Sequence, residues 1–92
     1  MAKLSERSDI MYLHLGNETV IRQSDIIGIF DLDNSTISAK TREFLANAQT
    51  NGQIINVSSE LPKSFDVCRE SGSVKIYICQ LSPVTLSKRL VI

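Results

Sequence analysis

The sequence predicts an α+β domain of five to six mostly antiparallel strands, one long helix and a short C-terminal helix. Three observations predict it. Apolar residues alternate with polar ones in MYLHL, SFDVCRE and SVKIYIC. Gly16-Asn17 and Ser71-Gly72 are hairpin turn signals between such runs. One stretch, Ile37 to Ala48, changes to three- and four-residue spacing. A chain of 92 residues, 42% hydrophobic and 22% charged, suits one packed domain.

Residues 1–10, MAKLSERSDI, are polar and aperiodic and read as a tag or upstream extension, leaving residues 11–92 as a single domain. MYLHL puts Tyr12 and His14 on one strand face and Met11, Leu13 and Leu15 on the other. TVIR is its hairpin partner, and QSD breaks it. IIGIFDL, residues 26–32, is apolar on both faces: Ile27 and Ile29 point one way, and Ile26, Gly28 and Phe30 the other. That pattern predicts a central strand covered on both sides. Asn34 or Ser35 then caps a helix of about four turns, with Ile37, Thr41, Phe44, Leu45 and Ala48 facing the sheet and Asn51-Gly52 ending it.

QIINV is a short strand. A two-residue loop at Ser71-Gly72 fixes the register of the last two strands: Arg69 faces Val74, Val67 faces Ile76 and Phe65 faces Ile78. Phe65, Val67, Val74, Ile76 and Ile78 therefore share a buried face. Asp66, Cys68, Glu70, Lys75, Tyr77 and Cys79 share the other, with Cys68 opposite Lys75 and Cys79 opposite Ser64. The two thiols lie four residues apart along the hairpin, roughly 13 Å at about 3.3 Å per residue, too far for a disulfide. They are expected to be free in a reducing cytoplasm. Ser82-Pro83 opens the final short helix, with Leu86 and Leu90 inward and Lys88-Arg89 at its C-terminal end.

The charge balance, ten basic against ten acidic, gives no global attraction for nucleic acid or anionic lipid, and removing residues 1–10 leaves eight of each. No run approaches the roughly 20 apolar residues of a membrane helix, so no membrane association is expected. Asp31 and Asp33 share one side of a strand end, but no third ligand stands near them, and helix capping accounts for them better than Mg²⁺. His14 has no Ser or Cys at a spacing that makes a nucleophile, and no phosphate-binding glycine loop is present. No cofactor, no metal and no enzymatic activity are expected. The face carrying Lys75, Tyr77 and Cys79 is too apolar for free exposure. It calls for a cover, supplied either by a second subunit meeting those three residues or by the C-terminal helix. The basic residues are dispersed in ones and twos, so a monomer would hold a polyanion weakly, whereas a closed ring repeats each cation.

The stretches MYLHLGNETVIRQSDIIGIFDLD, TREFL, LPKSFDVC and LSPVTLSKRL occur in an order that resembles the extracellular matrix regulator family of Gram-positive bacteria, in its RemB branch, over residues 11–90. The resemblance implies a ring-forming, DNA-binding transcriptional regulator of biofilm matrix genes, acting in the cytoplasm, and it supports Met11 as the natural start. In the related RemA branch an arginine pair precedes the strand equivalent to SFDVC. Here that place holds Leu61-Pro62-Lys63, and a further family arginine falls near Asp25, three residues after Arg22. The expected double-stranded DNA contacts are therefore Arg22 and Lys63, with Lys40 and Arg42 on the helix behind them, touching phosphates rather than base edges. The alternative is a protein-interaction module of the same architecture that acts through a partner, such as a paralogous regulator, without touching DNA.

Overall fold

The computed structural model describes residues 11–32 and 38–90. Strands β1 (Tyr12–Gly16) and β2 (Thr19–Arg22) form a two-stranded sheet, and a single 3₁₀ turn, Gln23–Asp25, leads to β3 (Ile26–Asp31). Helix α1 (Ala39–Thr50), β4 (Ile54–Asn56), β5 (Ser64–Glu70), β6 (Ser73–Cys79) and helix α2 (Pro83–Arg89) follow. The second sheet has the order β3-β5-β6-β4, antiparallel except for the β4–β6 pair. This is the expected α+β architecture.

The β5–β6 ladder has the register that the Ser71-Gly72 loop dictates, with Phe65 opposite Ile78, Val67 opposite Ile76, Cys68 opposite Lys75 and Ser64 opposite Cys79. Ser71 and Gly72 both have positive φ, 53° and 83°, as the tight hairpin turn matched to strand twist requires. In the first hairpin the turn falls one residue later than Gly16-Asn17. Gly16 pairs with Thr19, and Asn17 and Glu18 take the positive φ values. The ladder slips between His14 and Gly16 next to this turn, and along β1 alternation buries Leu13 and Leu15 while Tyr12 and His14 stay exposed.

Each face of the four-stranded sheet has its own core. Ala48 of α1 packs with Phe65, Val67 and Ile76, flanked by Leu45, Ile54, Val74 and Ile78. On the opposite face Leu13, Leu15 and Ile21 of the first hairpin and Leu86 of α2 cover Cys68, Tyr77 and Cys79. The face that called for a cover thus receives it from the C-terminal helix and, in addition, from the first hairpin. β3 and β4 run in the same direction at opposite edges, so α1 crosses the whole sheet over the β5–β6 hairpin.

Strand β3 departs from expectation. It is an edge strand rather than a central one, and Ile27 is 58% exposed. A bulge between Ile26 and Gly28 breaks the alternation. Ile26 and Ile29 consequently join the hairpin-side core, while Ile27 and Phe30 turn to the helix side. Gly28 makes room there: a Cβ at this position would lie 2.7 Å from the Phe30 ring, which stacks on Phe65 with centroids 5.0 Å apart. Helix α1 also starts later than predicted, with Ser38 as its cap accepting a hydrogen bond from the Thr41 amide at 3.1 Å. Asp33, Asn34, Ser35 and Ile37 lie outside the described residues, as do residues 1–10. The stripe holds through Leu45 and Ala48, but Phe44 remains exposed.

Both cysteines are free and have no solvent-accessible surface. Burial, then the nearby carboxylates of Glu70, Asp66 and Asp25, pushes the Cys68 thiol up to about 12, and burial raises Cys79 as well. Since the thiolate is the reactive form, both should resist a disulfide thiol reagent at pH 5 in the native protein and react fully once denaturant unfolds it. Rapid native modification of either would show that the hairpin-side core is open.

Candidate nucleic-acid interface

The four cations expected to meet DNA are all exposed, but the fold distributes them over both ends of the sheet. Lys63 is fixed at one end, where its amide donates to the Cys79 carbonyl and its carbonyl accepts from the Leu32 amide, both at 2.8 Å. Lys63 is exposed, and two residues before it, ahead of Pro62, Leu61 is 78% exposed. Lys40 and Arg42 follow the Ser38 cap in the first turn of α1. Lys40 borders Phe30 and Phe65, which pair near the Lys63 end of the ladder. Arg22 lies at the other end, opposite Tyr12 on the first hairpin and beside Glu70 and Ser71 at the tip of the second. The β5 strand between these ends, Ser64 to Glu70, spans about 20 Å at roughly 3.3 Å per residue.

Among the described residues, no carboxylate lies within ion-pair distance of Arg22, Lys40, Arg42 or Lys63. Their charge is therefore not cancelled by Glu18, Asp25 or Glu60 through a direct pair. The surroundings still differ. Arg22 borders a polar cleft of about 380 Å³ that also holds Asp25 and Glu70, so two carboxylates offset its field. Lys40 instead borders an apolar groove of about 320 Å³ between the open edge of β3 and α1, formed by Ile27, Phe30, Phe44, Phe65 and Val67.

The residues expected at a subunit interface fare unevenly. Cys79 is fully buried, with its thiol donating to the Leu15 carbonyl at 3.2 Å, so it offers no surface to another chain. Tyr77 is buried too, and its hydroxyl donates to Glu70 at 2.7 Å. Burial, followed by that carboxylate, raises its pKa. Lys75 keeps much of its side chain in solvent and sits 3.5 Å from the other Glu70 oxygen. Only Lys75 of the three is placed to meet a neighbour. The apolar groove was not foreseen, because the alternation in IIGIFDL conceals the bulge that turns Ile27 and Phe30 to one side.

Among the described residues no group of three or more His, Cys, Asp or Glu side chains is placed to hold a metal ion. No helix among them is long and apolar enough to cross a membrane. A family model described as "Extracellular matrix regulatory protein A-like" matches residues 12–90. The chain belongs to this RemA-like family. It is also 35% identical over 79 residues to Extracellular matrix regulatory protein B of Bacillus subtilis (strain 168), covering 86% of this chain and 89% of that protein. The RemA-like match begins at Tyr12, where β1 begins, and ends at Leu90, which follows α2. Both descriptions are of matrix regulators, a regulatory rather than an enzymatic class.

The Glu70 carboxylate meets two side chains of β6 across its own hairpin, and these two contacts should differ in strength. Tyr77→Phe should lower stability by about 1 kcal/mol, because it removes a part-buried hydrogen bond to a charged group. Lys75→Ala should cost less, within about 0.5 kcal/mol, because its pair is solvent-screened. Urea denaturation at pH 7 checks both, and equal costs would contradict the assignment of Tyr77 as the stronger partner.

Proposed function

We propose that this member of the RemA-like family is a cytoplasmic, ring-forming transcriptional regulator of extracellular matrix genes that binds double-stranded DNA through phosphates. The observation that carries this reading is the arrangement of charge. A chain with no net charge exposes cations that have no ion-pair partner among the described residues at both ends of one sheet, Lys63 and Lys40 at one and Arg22 at the other. One copy presents too few contacts for tight binding, since each neutralised phosphate contributes separately through counterion release. Head-to-tail repetition would bring opposite ends of neighbouring copies together and turn scattered cations into a continuous track. Lysine at position 63 suits this role as a point charge without the fork that reads guanine. The open edge of β3 and the groove lined by Ile27, Phe30 and Phe44 provide a surface for the neighbouring copy.

A second reading has its own support. Leu61 projects almost fully into solvent from a loop stiffened by Pro62, beside Lys63. An apolar knob at the expected DNA loop favours an interaction module that docks a protein partner, such as a paralogous regulator, at the same rim.

Fluorescence anisotropy of a labelled promoter-length duplex separates the two. The DNA reading expects saturable binding that weakens steeply with salt, and a loss of about tenfold or more for Lys63→Ala or Arg22→Ala. Absence of binding at low salt by an assembled protein would overturn it and leave the interaction module. Independently, Ile27→Glu should convert the assembly to monomers in sedimentation, by placing a charge in the groove while leaving the core intact. An unchanged oligomer would move the subunit contact to another face.

A further inference from the structure

The core beneath the first hairpin contains a group that neither the fold nor the proposed DNA contacts use. Asp66, in the middle of β5, has no accessible surface, and neither carboxylate oxygen has a hydrogen-bond donor among the described residues. It stands directly between Ile29 of β3 and Tyr77 of β6. Ser64 and Cys68 flank it two residues either way on its own strand, and Cys79 lies diagonally across on β6. Over this face lie Leu13, Leu15 and Ile21 of the hairpin and Leu86 of α2.

The charged and titratable groups around it give an anion no compensation. On β5 and β6 they are the Cys68 and Cys79 thiols, the Tyr77 hydroxyl, whose proton is committed to Glu70, and Lys75, diagonally across on β6, whose ammonium is drawn out to Glu70 at 3.5 Å. From the turn before β3, Asp25 adds negative charge, felt at Cys68 together with that of Glu70. The first hairpin presents only aliphatic side chains to this core, and β3 presents Ile26 and Ile29. From α2, Arg89 is turned to the His14 carbonyl at 3.3 Å. A carboxylate here is thus opposed by its surroundings, and burial pushes its pKa up to about 7 from 3.8.

Of the two elements over Asp66, the first hairpin is the one built as a separate sheet. The β1–β2 hairpin is a sheet of its own, with no ladder to the four-stranded sheet. It is tied down by side chains: Asn17 donates to the Val57 carbonyl, Cys79 to the Leu15 carbonyl and Arg89 to the His14 carbonyl. Lifting it would hydrate β5 without breaking a strand pair. We propose that Asp66 makes the docking of the first hairpin pH-sensitive: the neutral acid keeps the layer closed, and its ionisation favours a state in which the hairpin lifts and water reaches the carboxylate.

The sign follows from the raised pKa. Below pH 4 the carboxyl is protonated whether covered or hydrated, and the closed state is at its most favourable. As pH rises from 4 to 7 the hydrated form releases its proton while the covered form keeps it, so opening gains. Above pH 7 both are ionised and the gain stops. Because Arg22 rides on this hairpin, opening would also shift the proposed DNA surface, a consequence that rests on that reading, whereas the opening itself does not.

Amide hydrogen exchange on the full chain tests it between pH 5 and 8, alongside Asp66→Asn, with rates corrected for the intrinsic pH dependence of exchange. In the native protein the opening constant for β1–β2 amides should rise by up to about tenfold per pH unit to pH 7 and then level off. Amides of the β5–β6 ladder should not follow, and Asp66→Asn should flatten the hairpin profile. Asp66→Leu serves as a second neutral variant should the asparagine fail to fold. A pH-independent hairpin, the same slope in the neutral variants, or simultaneous loss of protection in both layers would each overturn the proposal.

Discussion

The register of the β5–β6 hairpin is the constraint on which the rest of the molecule depends. Because side chains alternate along a strand, this single pairing sends Phe65, Val67, Ile76 and Ile78 to one face and Asp66, Cys68, Tyr77 and Cys79 to the other. Helix α1 packs on the first set, and the N-terminal hairpin with α2 on the second. A slip of one residue would present the wrong residues to both covers at once. The Ser71-Gly72 turn fixes that register locally, with the conformations its two residues adopt. The position of Lys63 at one end of the hairpin follows from the same pairing, since its amide extends the ladder to the Cys79 carbonyl.

Much of this was legible in the sequence, because turn chemistry and alternation act over a few residues. The β5–β6 register, the free thiols and the helical stripe through Leu45 and Ala48 all follow from such local rules. What escaped was non-local. Nothing within IIGIFDL distinguishes a central strand from an edge strand with a bulge, since the difference lies in which neighbour pairs with it. The apolar groove was hidden for that reason. The cover over Tyr77 and Cys79 was a choice between chains, and only the packing of Leu13, Leu15 and Leu86 decides it. For the cations the sequence supplied identity but not position: Arg22 and Lys63 belong to opposite ends of the sheet.

Charge in this molecule is governed more by location than by amount. Arg22, Lys40, Arg42 and Lys63 lie at the surface and keep their hydration. Asp66 is the opposite case, with its only charge-bearing group enclosed by aliphatic side chains and thiols. Neutrality of the whole chain therefore conceals two different economies, a solvated surface where ions are interchangeable and an interior where one proton decides.

The crossover of α1 has a consequence for the way the chain folds. Each hairpin closes across a two-residue turn, an event of roughly 1–10 μs. Neither can be completed into the native sheet by local steps, since Ile29 meets Asp66 and Ile54 meets Ile76 only after long stretches of chain are brought back. The edge strands β3 and β4 are joined through α1, so adding one restricts where the other can search. Topology therefore predicts that the local β5–β6 ladder forms ahead of the two borders of the sheet, whose pairings close long loops.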